Sequence, residues 1–185
     1  STGIVSPIYE DYILTALPPA NWFVTNADDG YTWSRATTAG ALGTSKSALM
    51  NFYNSPAGNV DEMYLPTTDL TMSTSQASLD FYVAYATYQT EQDKLEVKVS
   101  TDCGATKTQL FYAGGDDLAT GPAYTADVFY PAADEWETKT IDLSAFTGAD
   151  NVTFYFRNIG YWGQAMYLDN INVSANFIPI NNIDA

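Results

Sequence analysis

The 185 residues of this chain fall within the usual size of one domain, and 46% of them are hydrophobic, which is enough for a buried core. With 22 acidic and seven basic residues, the formal net charge of −15 disfavours nucleic acids and anionic lipids as partners and favours hard cations such as calcium. The absence of histidine and the presence of one cysteine exclude Ser-His-Asp and Cys-His catalysis, an imidazole zinc site and an intrachain disulfide.

Short apolar or alternating runs that end at turn signals recur along the chain at the spacing of a β-sandwich. In chain order, they predict strands at 22–26, 31–36, 47–53, 60–65, 77–88, 95–100, 108–112, 135–143, 152–158 and 165–173. Turn-forming segments separate several of these strands, at 26–30, 55–59, 114–117 and 147–150. Residues 116–119 predict one helical turn at most. The pattern therefore predicts an all-β fold.

The alternation of side chains predicts which strands are buried on one face only. In segment 95–99 the odd-numbered residues are apolar and the even-numbered ones are charged, which is typical of a half-buried strand. In segment 154–157 two phenylalanines alternate with Tyr155 and Arg157 in the same way. The run 79–88 is apolar on both faces, so we expect a long central strand there.

Six runs together resemble a known family. They are ALPPANWFVTNADDGYTW, SKSALMNFYN, VDEMYLPTTDLT, LEVKVSTDCGAT, EWETKTIDLSAFTGADNVTFYFRN and MYLDNINV. In this order they resemble the MAM-like jelly rolls of secreted Bacteroidota-type proteins, the group of choice-of-anchor J and cleaved-adhesin domains. The resemblance implies a two-sheet antiparallel jelly-roll β-sandwich. We expect a single domain at 1–176 and an extended tail or linker at 177–185.

The resemblance also implies a function outside the cell. It predicts a secreted or cell-surface, non-catalytic adhesion or carbohydrate-binding module, with a glycan or cell-surface ligand and other domains of a larger secreted protein as partners, and with no membrane span. Two alternatives are an accessory C-terminal domain of a secreted metallopeptidase and a structural spacer of a surface protein. Paired acids at 61–62, 116–117 and 134–135 lie in turns or at strand starts, and adjacent strand residues point to opposite faces, so we predict no catalytic residues.

One carboxylate in the last predicted strand indicates a metal site. Asp169, Ile171 and Val173 share one parity, so Asp169 points inward if the two apolar residues face the core. A buried carboxylate needs a partner, and a calcium ion would provide one. The family resemblance implies a structural calcium at four positions of this chain, namely Glu10, Asp29, Asn51 and Asp169. The alternative is an Asx-turn at 28–30 and hydrogen bonds to Asp169 from a loop or from Arg35.

Aromatic residues indicate a ligand face. The chain has more of them than its core obviously needs, including Tyr53, Tyr82, Tyr85, Tyr88, Tyr112, Tyr155, Tyr161 and Trp162. Sugar rings stack on aromatic faces, although tyrosine also commonly buries its ring and keeps its hydroxyl in water. The glycine-flanked run GYWG predicts a loop that presents Tyr161 and Trp162, with the neighbouring Gln164 reaching a sugar hydroxyl.

Overall fold

The computed structural model describes residues 4–5, 8–13, 16–71 and 73–177, and strands make up most of the regular structure. They are β1 Ile4–Val5, β2 Ile8–Glu10, β3 Phe23–Thr25, β4 Ser34–Ala36, β5 Ser47–Asn51, β6 Val60–Tyr64, β7 Thr68–Asp69, β8 Ser73–Tyr85, β9 Lys94–Ser100, β10 Thr108–Gly114, β11 Glu137–Asp142, β12 Thr153–Ile159 and β13 Ala165–Phe177. Helix in the described ranges is limited to three short 3₁₀ segments, Ala41–Gly43, Gly115–Asp117 and Ser144–Phe146. None of these is long enough to cross a membrane.

Two antiparallel sheets form the sandwich. One has five strands in the order β10-β9-β12-β6-β3. The other has six, in the order β11-β8-β13-β5-β4, with β2 also paired to β13. Outside them, β1 and β7 form a two-residue parallel pair. The predicted all-β fold with two antiparallel sheets is therefore confirmed.

Each strand that the sequence predicts is present, with ends that differ by a few residues. The predicted helical turn at 116–119 is the 3₁₀ segment Gly115–Asp117. The short strands β1, β2 and β7 were not predicted, because runs of two or three residues carry no readable periodicity. At the other end, β13 continues to Phe177, and the rest of the predicted tail, 178–185, lies outside the described residues.

The core lies between the inner faces of the two sheets. The odd-numbered residues of 95–99 face it, as the alternation predicts, and so do Phe81 and Val83 of the long strand β8, which lies between β11 and β13. Phe156 of the five-stranded sheet packs edge to face against Phe81 of the six-stranded sheet, with ring centroids 5.2 Å apart. Because both rings are fully buried, this contact joins the two sheets at the centre of the sandwich.

The outer faces of the two sheets differ. Across the six-stranded sheet, the segment from 119 to 136 folds back and buries Phe129 against Tyr167, whose hydroxyl donates to the Phe129 carbonyl at 2.6 Å. Trp136 packs edge to face against the same tyrosine. On the five-stranded sheet, aromatic side chains of the outer face are exposed, among them Phe23 and Tyr112. The outer face of the five-stranded sheet therefore presents exposed rings to solvent.

Truncating the central ring should test this packing. We expect Phe156→Ala to lower the free energy of unfolding by about 3–5 kcal/mol, because it removes a fully buried ring and leaves a cavity. The matched control is Phe23→Ala, whose exposed ring should cost less than about 1.5 kcal/mol, the value of its stacking on Tyr64. Urea unfolding followed by tryptophan fluorescence measures both. Similar losses in the two variants would contradict the assignment of Phe156 to the core.

Candidate functional site

An aromatic row crosses the outer face of the five-stranded sheet. Strand register places Tyr64 of β6 opposite both Phe23 of β3 and Tyr155 of β12. The ring centroids of Phe23 and Tyr64 lie 5.2 Å apart, and so do those of Tyr64 and Tyr155. Since opposite residues of paired strands point to the same face, the three rings form one continuous strip. We refer to these three residues as the aromatic row.

The aromatic row borders a groove and carries a cation at one end. The groove has a volume of about 260 Å³, and its other lining residues include Thr67, Cys103, Asn151 and Thr153. Lys107 places its ammonium 4.0 Å from the centroid of the Tyr155 ring and forms an ion pair with Glu62 at 2.5 Å. This end of the face thus combines ring surface with hydroxyl, amide and ammonium groups, which is the composition of a polar ligand site.

The next row of the same face is charged. Arg157 lies between Glu62 of β6 and Glu96 of β9 in the strand register. Its guanidinium donates to Glu96 at 2.6 Å, and Lys98 pairs with the same carboxylate at 3.0 Å. Burial raises the pKa of Glu96, but hydrogen bonds from Arg157 and Lys98 outweigh that effect and lower it overall. Glu96 is therefore held ionised as the centre of this row.

A second aromatic group lies at the opposite end of the face. Lys94 Nζ is 4.8 Å from the ring centroid of Tyr161 and 5.7 Å from that of Tyr112. Trp162 follows in the loop 160–163 and is 58% exposed, as its glycine-flanked position predicts. Its backbone has φ 66°, the left-handed region that residues other than glycine rarely adopt. We call Lys94, Tyr112, Tyr161 and Trp162 the Trp162 cluster.

A buried carboxylate fixes the loop that carries Trp162. Asp93 is fully buried and accepts hydrogen bonds from the backbone amides of Tyr161, Gly163 and Gln164 at 2.7, 3.2 and 2.9 Å, and from the Tyr85 hydroxyl at 3.0 Å. Burial raises the pKa of Asp93, and these donors offset only part of the rise. A Cβ atom at Gly163 would lie 2.0 Å from an Asp93 oxygen, so only glycine fits there. The loop is thus held in one conformation.

Gln164 does not reach the ligand face. Its side chain is fully buried, and its amide oxygen accepts from the Phe129 amide at 2.8 Å. The amide nitrogen donates to the carbonyls of Tyr124 and Asp127. This side chain therefore anchors the segment that covers the six-stranded sheet, which corrects the expectation that Gln164 binds a sugar hydroxyl. Of the predicted ligand residues, Tyr161 and Trp162 remain on the surface.

Asp169 is buried, but it points to the outer face of its sheet and not to the inner face that its parity with Ile171 predicts. It lies opposite Tyr82, whereas Asn172 lies opposite Asp80, so two residues of β13 face one residue of β8. This bulge contains Asn170, whose φ of 47° is left-handed. The extra residue reverses the parity, so that Ile171 faces the core and Asp169 points to the outer side.

A loop buries the Asp169 carboxylate on that outer side. It accepts hydrogen bonds from the amides of Ala41 and Asn170, both at 2.8 Å, and from the Thr44 hydroxyl at 3.4 Å. Burial raises its pKa to about 6, although these donors lower it. Arg35 donates to the carbonyls of residues 12 and 13 instead. Asp169 thus accepts hydrogen bonds from a loop, and the predicted calcium at this carboxylate stays a prediction.

The structure brings only part of the predicted calcium ligands together. Along one edge of β13, β5 pairs up to Leu168 and β2 pairs from Ile171. Asp169 therefore lies in the gap between β5 and β2, and Glu10 is the residue of β2 next to that gap. Asn51 pairs with Ala165, which puts it about 13 Å from Asp169 at ~3.3 Å per residue. One ion with oxygens at ~2.3–2.6 Å cannot bind both.

Asp29 also lies away from Asp169. It is exposed in the turn at 28–30, where the Gly30 amide donates to Asp28 at 2.9 Å, so the Asx-turn interpretation is confirmed. The charge of Asp28 acts on Asp61 of the five-stranded sheet. Within the described ranges, no three side chains of the Asp, Glu, Cys and His types form a metal-holding group. A calcium ion here must rely on carbonyl, amide or hydroxyl oxygens as well.

Comparison with known proteins bears on the fold. No family model and no curated protein matches the chain. Among solved structures, it is similar to the K1 cleaved adhesin domain of Lys-gingipain from Porphyromonas gingivalis, with a TM-score of 0.66 and 17% identity over 92% of this chain and 99% of that domain. The chain has the fold of a cleaved adhesin domain. The sequence resemblance to these jelly rolls is confirmed at the level of the fold.

The cleaved-adhesin fold is shared with carbohydrate-binding modules. The chain is similar to CBM27-1 of Caldicellulosiruptor saccharolyticus, solved with mannohexaose, with a TM-score of 0.60 and 12% identity over 94% of this chain and 99% of that one. It is also similar to the CBM22-1 xylan-binding domain of Xyn10C from Paenibacillus barcinonensis, with a TM-score of 0.56 and 9% identity over 97% of this chain and 100% of that one.

Sequence reasoning did not find Phe23, Tyr64 or Asp93. The two rings come from strands far apart in sequence, and only the register of β3 on β6 shows that they stack. Asp93 follows a polar segment, 89–92, and its local sequence gives no sign of burial. One available signal was the spacing of Tyr64 and Glu62, which places both on the same face of a strand.

We expect Asp93→Asn to loosen the Trp162 loop in this cleaved-adhesin fold. An amide in place of the carboxylate presents a donor to backbone amides, so we expect a loss of about 2–4 kcal/mol in the free energy of unfolding. Amide hydrogen exchange at 161–164 should also accelerate. Asp117→Asn, at an exposed residue, is the control and should stay within about 0.5 kcal/mol of the wild type. Unchanged exchange at 161–164 would show that Asp93 does not hold the loop.

Proposed function

We propose that this chain is a non-catalytic adhesion or carbohydrate-binding module, secreted or on the cell surface, with its ligand on the outer face of the five-stranded sheet. The observation that carries the proposal is Trp162, an exposed indole on a loop that a buried carboxylate holds rigid. Exposing such a ring to water is unfavourable without a partner, and fixing it in advance lowers the entropy cost of binding.

The chemistry of the face suits a sugar. Pyranose rings present C–H surfaces that stack on aromatic rings, and the Trp162 cluster and the aromatic row offer such rings at both ends of the face. Four of the seven basic residues lie on this face, Lys94, Lys98, Lys107 and Arg157, in a chain of net charge −15. Their N–H groups, with Glu62 and Glu96, provide donors and acceptors for hydroxyl groups.

The structural neighbours support this choice of ligand. One of them is a carbohydrate-binding module in complex with mannohexaose, another is a xylan-binding domain, and a third is an adhesin domain. Catalysis by the acid pair 61–62 is disfavoured by geometry, because Asp61 is buried while Glu62 shares the outer face with Arg157. Adjacent residues of one strand cannot flank the same glycosidic bond.

A structural calcium at Asp169 is a further part of the proposal. The buried Asp169 carboxylate supplies oxygens at a gap in the sheet edge, whereas Glu10 lies opposite Ile171 on the inner face and accepts from the Tyr12 amide at 2.6 Å. No Lys or Arg in the described ranges forms an ion pair with Asp169. A bound calcium would supply positive charge to this carboxylate, at the gap between β2 and β5 along the edge of β13.

Removing the indole should remove binding. We expect Trp162→Ala to lower affinity for a glycan found on an array by about thirtyfold or more, equal to about 2 kcal/mol, as for a central contact residue. The melting temperature should not change, because the ring contributes little to the core. Tyr130→Ala, an exposed aromatic outside the ligand face, is the matched control and should bind like the wild type.

Two results would contradict the binding proposal. One is a Trp162→Ala protein that is folded and retains full affinity, which would move the ligand away from this loop. The other is the absence of any glycan that binds the wild type. That outcome would favour the alternatives, an accessory domain of a secreted metallopeptidase or a structural spacer, because neither requires a sugar ligand.

Calcium removal should destabilise the protein. We expect a chelator to lower the melting temperature by several degrees and added calcium to restore it, because an ion that binds only the folded state stabilises it. Asp169→Asn should be less sensitive to chelator than the wild type, while Asp117→Asn should behave like the wild type. Differential scanning fluorimetry measures these shifts. Equal chelator sensitivity of Asp169→Asn and the wild type would rule out this carboxylate as a ligand.

A further inference from the structure

The positive charge of this chain is concentrated on one face. The outer face of the five-stranded sheet carries four of the seven basic residues and two outward carboxylates, namely Lys94, Lys98, Lys107, Arg157, Glu62 and Glu96. These six groups have a net charge of +2, whereas the other three basic and 20 acidic residues have a net charge of −17. Because the Debye length is about 8 Å at physiological ionic strength, a small anion on this face interacts mainly with the charges that lie there.

Lys94 differs from the other three cations of the face. Those three form ion pairs with carboxylates of the same sheet at 2.5–3.0 Å, whereas no ion pair in the described ranges includes Lys94. Its ammonium lies beside the rings of Tyr112 and Tyr161 and donates to the Tyr161 hydroxyl at 3.4 Å. An ammonium has three N–H groups, and the two tyrosine hydroxyls use at most two of them. A donor of Lys94 is therefore available to a further acceptor.

The local structure fixes the position of Lys94. Gly114 of β10 is its partner in the strand register. A Cβ atom at Gly114 would lie 2.6 Å from Lys94 Cγ, so a larger residue there would displace the lysine stem. Hydrogen bonds to Tyr112 and Tyr161 raise the pKa of Lys94, so the side chain is charged at neutral pH. The structure thus holds a charged ammonium among exposed rings.

The carboxylates that are near Lys94 in sequence have other partners or positions. Asp93 is buried, and its oxygens accept hydrogen bonds from the loop that carries Trp162. Asp116 lines a separate groove together with Thr87. Glu96, two residues further along β9, is already paired with two other cations.

The aromatic row has a different electrostatic environment. Burial and the charges of Glu62 and Asp102 raise the pKa of Tyr155, so negative charge surrounds this end of the face. The cation there, Lys107, is neutralised by its ion pair with Glu62. An anion is therefore favoured at the Trp162 cluster, and an uncharged sugar ring suits the aromatic row.

We propose that the Trp162 cluster binds a sugar that carries an anionic group, either the carboxylate of a uronic acid or a sulfate ester. The Lys94 ammonium pairs with the anionic group, and the neighbouring rings of Tyr161 and Trp162 contact the pyranose. The rings exclude water from part of the ammonium, which makes this ion pair stronger than one in open solvent. The inference rests on the proposed function and names the class of sugar that the face prefers.

Isothermal titration of the chain with acidic polysaccharides and their neutral counterparts tests this preference. The acidic polymers are polygalacturonate, alginate and dextran sulfate, and the neutral ones are the carboxyl-reduced forms of the first two and dextran. We expect at least one acidic polymer to bind about fivefold or more tightly than its counterpart. Sodium chloride at about 0.5 M should reduce this preference by screening. The polymer that is preferred distinguishes a uronic acid from a sulfated sugar.

Two variants of one residue and a matched control assign the preference to Lys94. We expect Lys94→Gln to lose it, while affinity for the neutral polymer changes by less than about twofold. Lys94→Arg keeps the charge and should keep most of the preference. Lys139→Gln removes the same charge from the six-stranded sheet, where Lys139 pairs with Glu137, and should bind like the wild type. Melting curves verify that each variant is folded.

A wild-type protein that binds neutral polymers as tightly as acidic ones would overturn the proposal. So would a folded Lys94→Gln protein that keeps the preference, or an equal loss in Lys139→Gln, because the overall charge of the chain would then be responsible. Each of these results leaves the proposed binding of glycans intact. Failure of every glycan to bind, neutral or acidic, would instead contradict the proposed function itself, and this proposal with it.

Discussion

The space between the two inner sheet faces excludes water, so every polar group that enters it needs a partner from the protein or from a bound ion. Asp93 satisfies this condition with backbone amides of the 160–164 segment and the Tyr85 hydroxyl, and in doing so fixes the position of Trp162. Asp61 is buried as well, and burial raises its pKa to about 6 although side-chain hydrogen bonds from Thr32, Asn59 and Asn158 lower it in part. Buried carboxylates, rather than apolar contacts alone, therefore order the end of the sandwich beside the proposed ligand face. Because the chain has no histidine and few cations, backbone amides are the partners most readily available to it.

The outer faces of the two sheets differ in what covers them. A long segment anchored by Gln164 and Phe129 covers part of the six-stranded sheet, and the turn at Ala41 buries Asp169 elsewhere on that side. The five-stranded sheet instead presents two groups of rings with a charged row between them. Arg157 and Glu96 satisfy each other in that row, which keeps it ordered. Under the proposed function, a ligand would meet a face that is already arranged.

Local sequence predicted the strands and the exposure of Trp162, because alternation and glycine flanks are local signals. It also predicted that Asp169 is buried, but not on which face, since a bulge at Asn170 reverses the parity of the strand. Sequence spacing suggested that Gln164 lies beside the ligand, whereas its direction depends on a covering segment nearly 40 residues away. The grouping of Lys94, Tyr112 and Tyr161 depends on the register of β9 with β10 and with the distant β12. Such pairings follow from tertiary contacts, which periodicity does not encode.

Strand β13 occupies a special position in the order of folding. It pairs with β8 along one edge and with β5 and β2 along the other, so the six-stranded sheet has no centre without it. Of the strands described, it is the last to be synthesised. The edges of the earlier strands of that sheet therefore stay unpaired until residues 165–177 have been synthesised. Closing contacts over such long sequence separations is slow, and the unpaired edges are exposed to association with other chains in the meantime. Folding of this sandwich is thus expected to finish only after its final strand is available. Until then, chaperones or rapid dilution would limit association of the open edges during production of the protein.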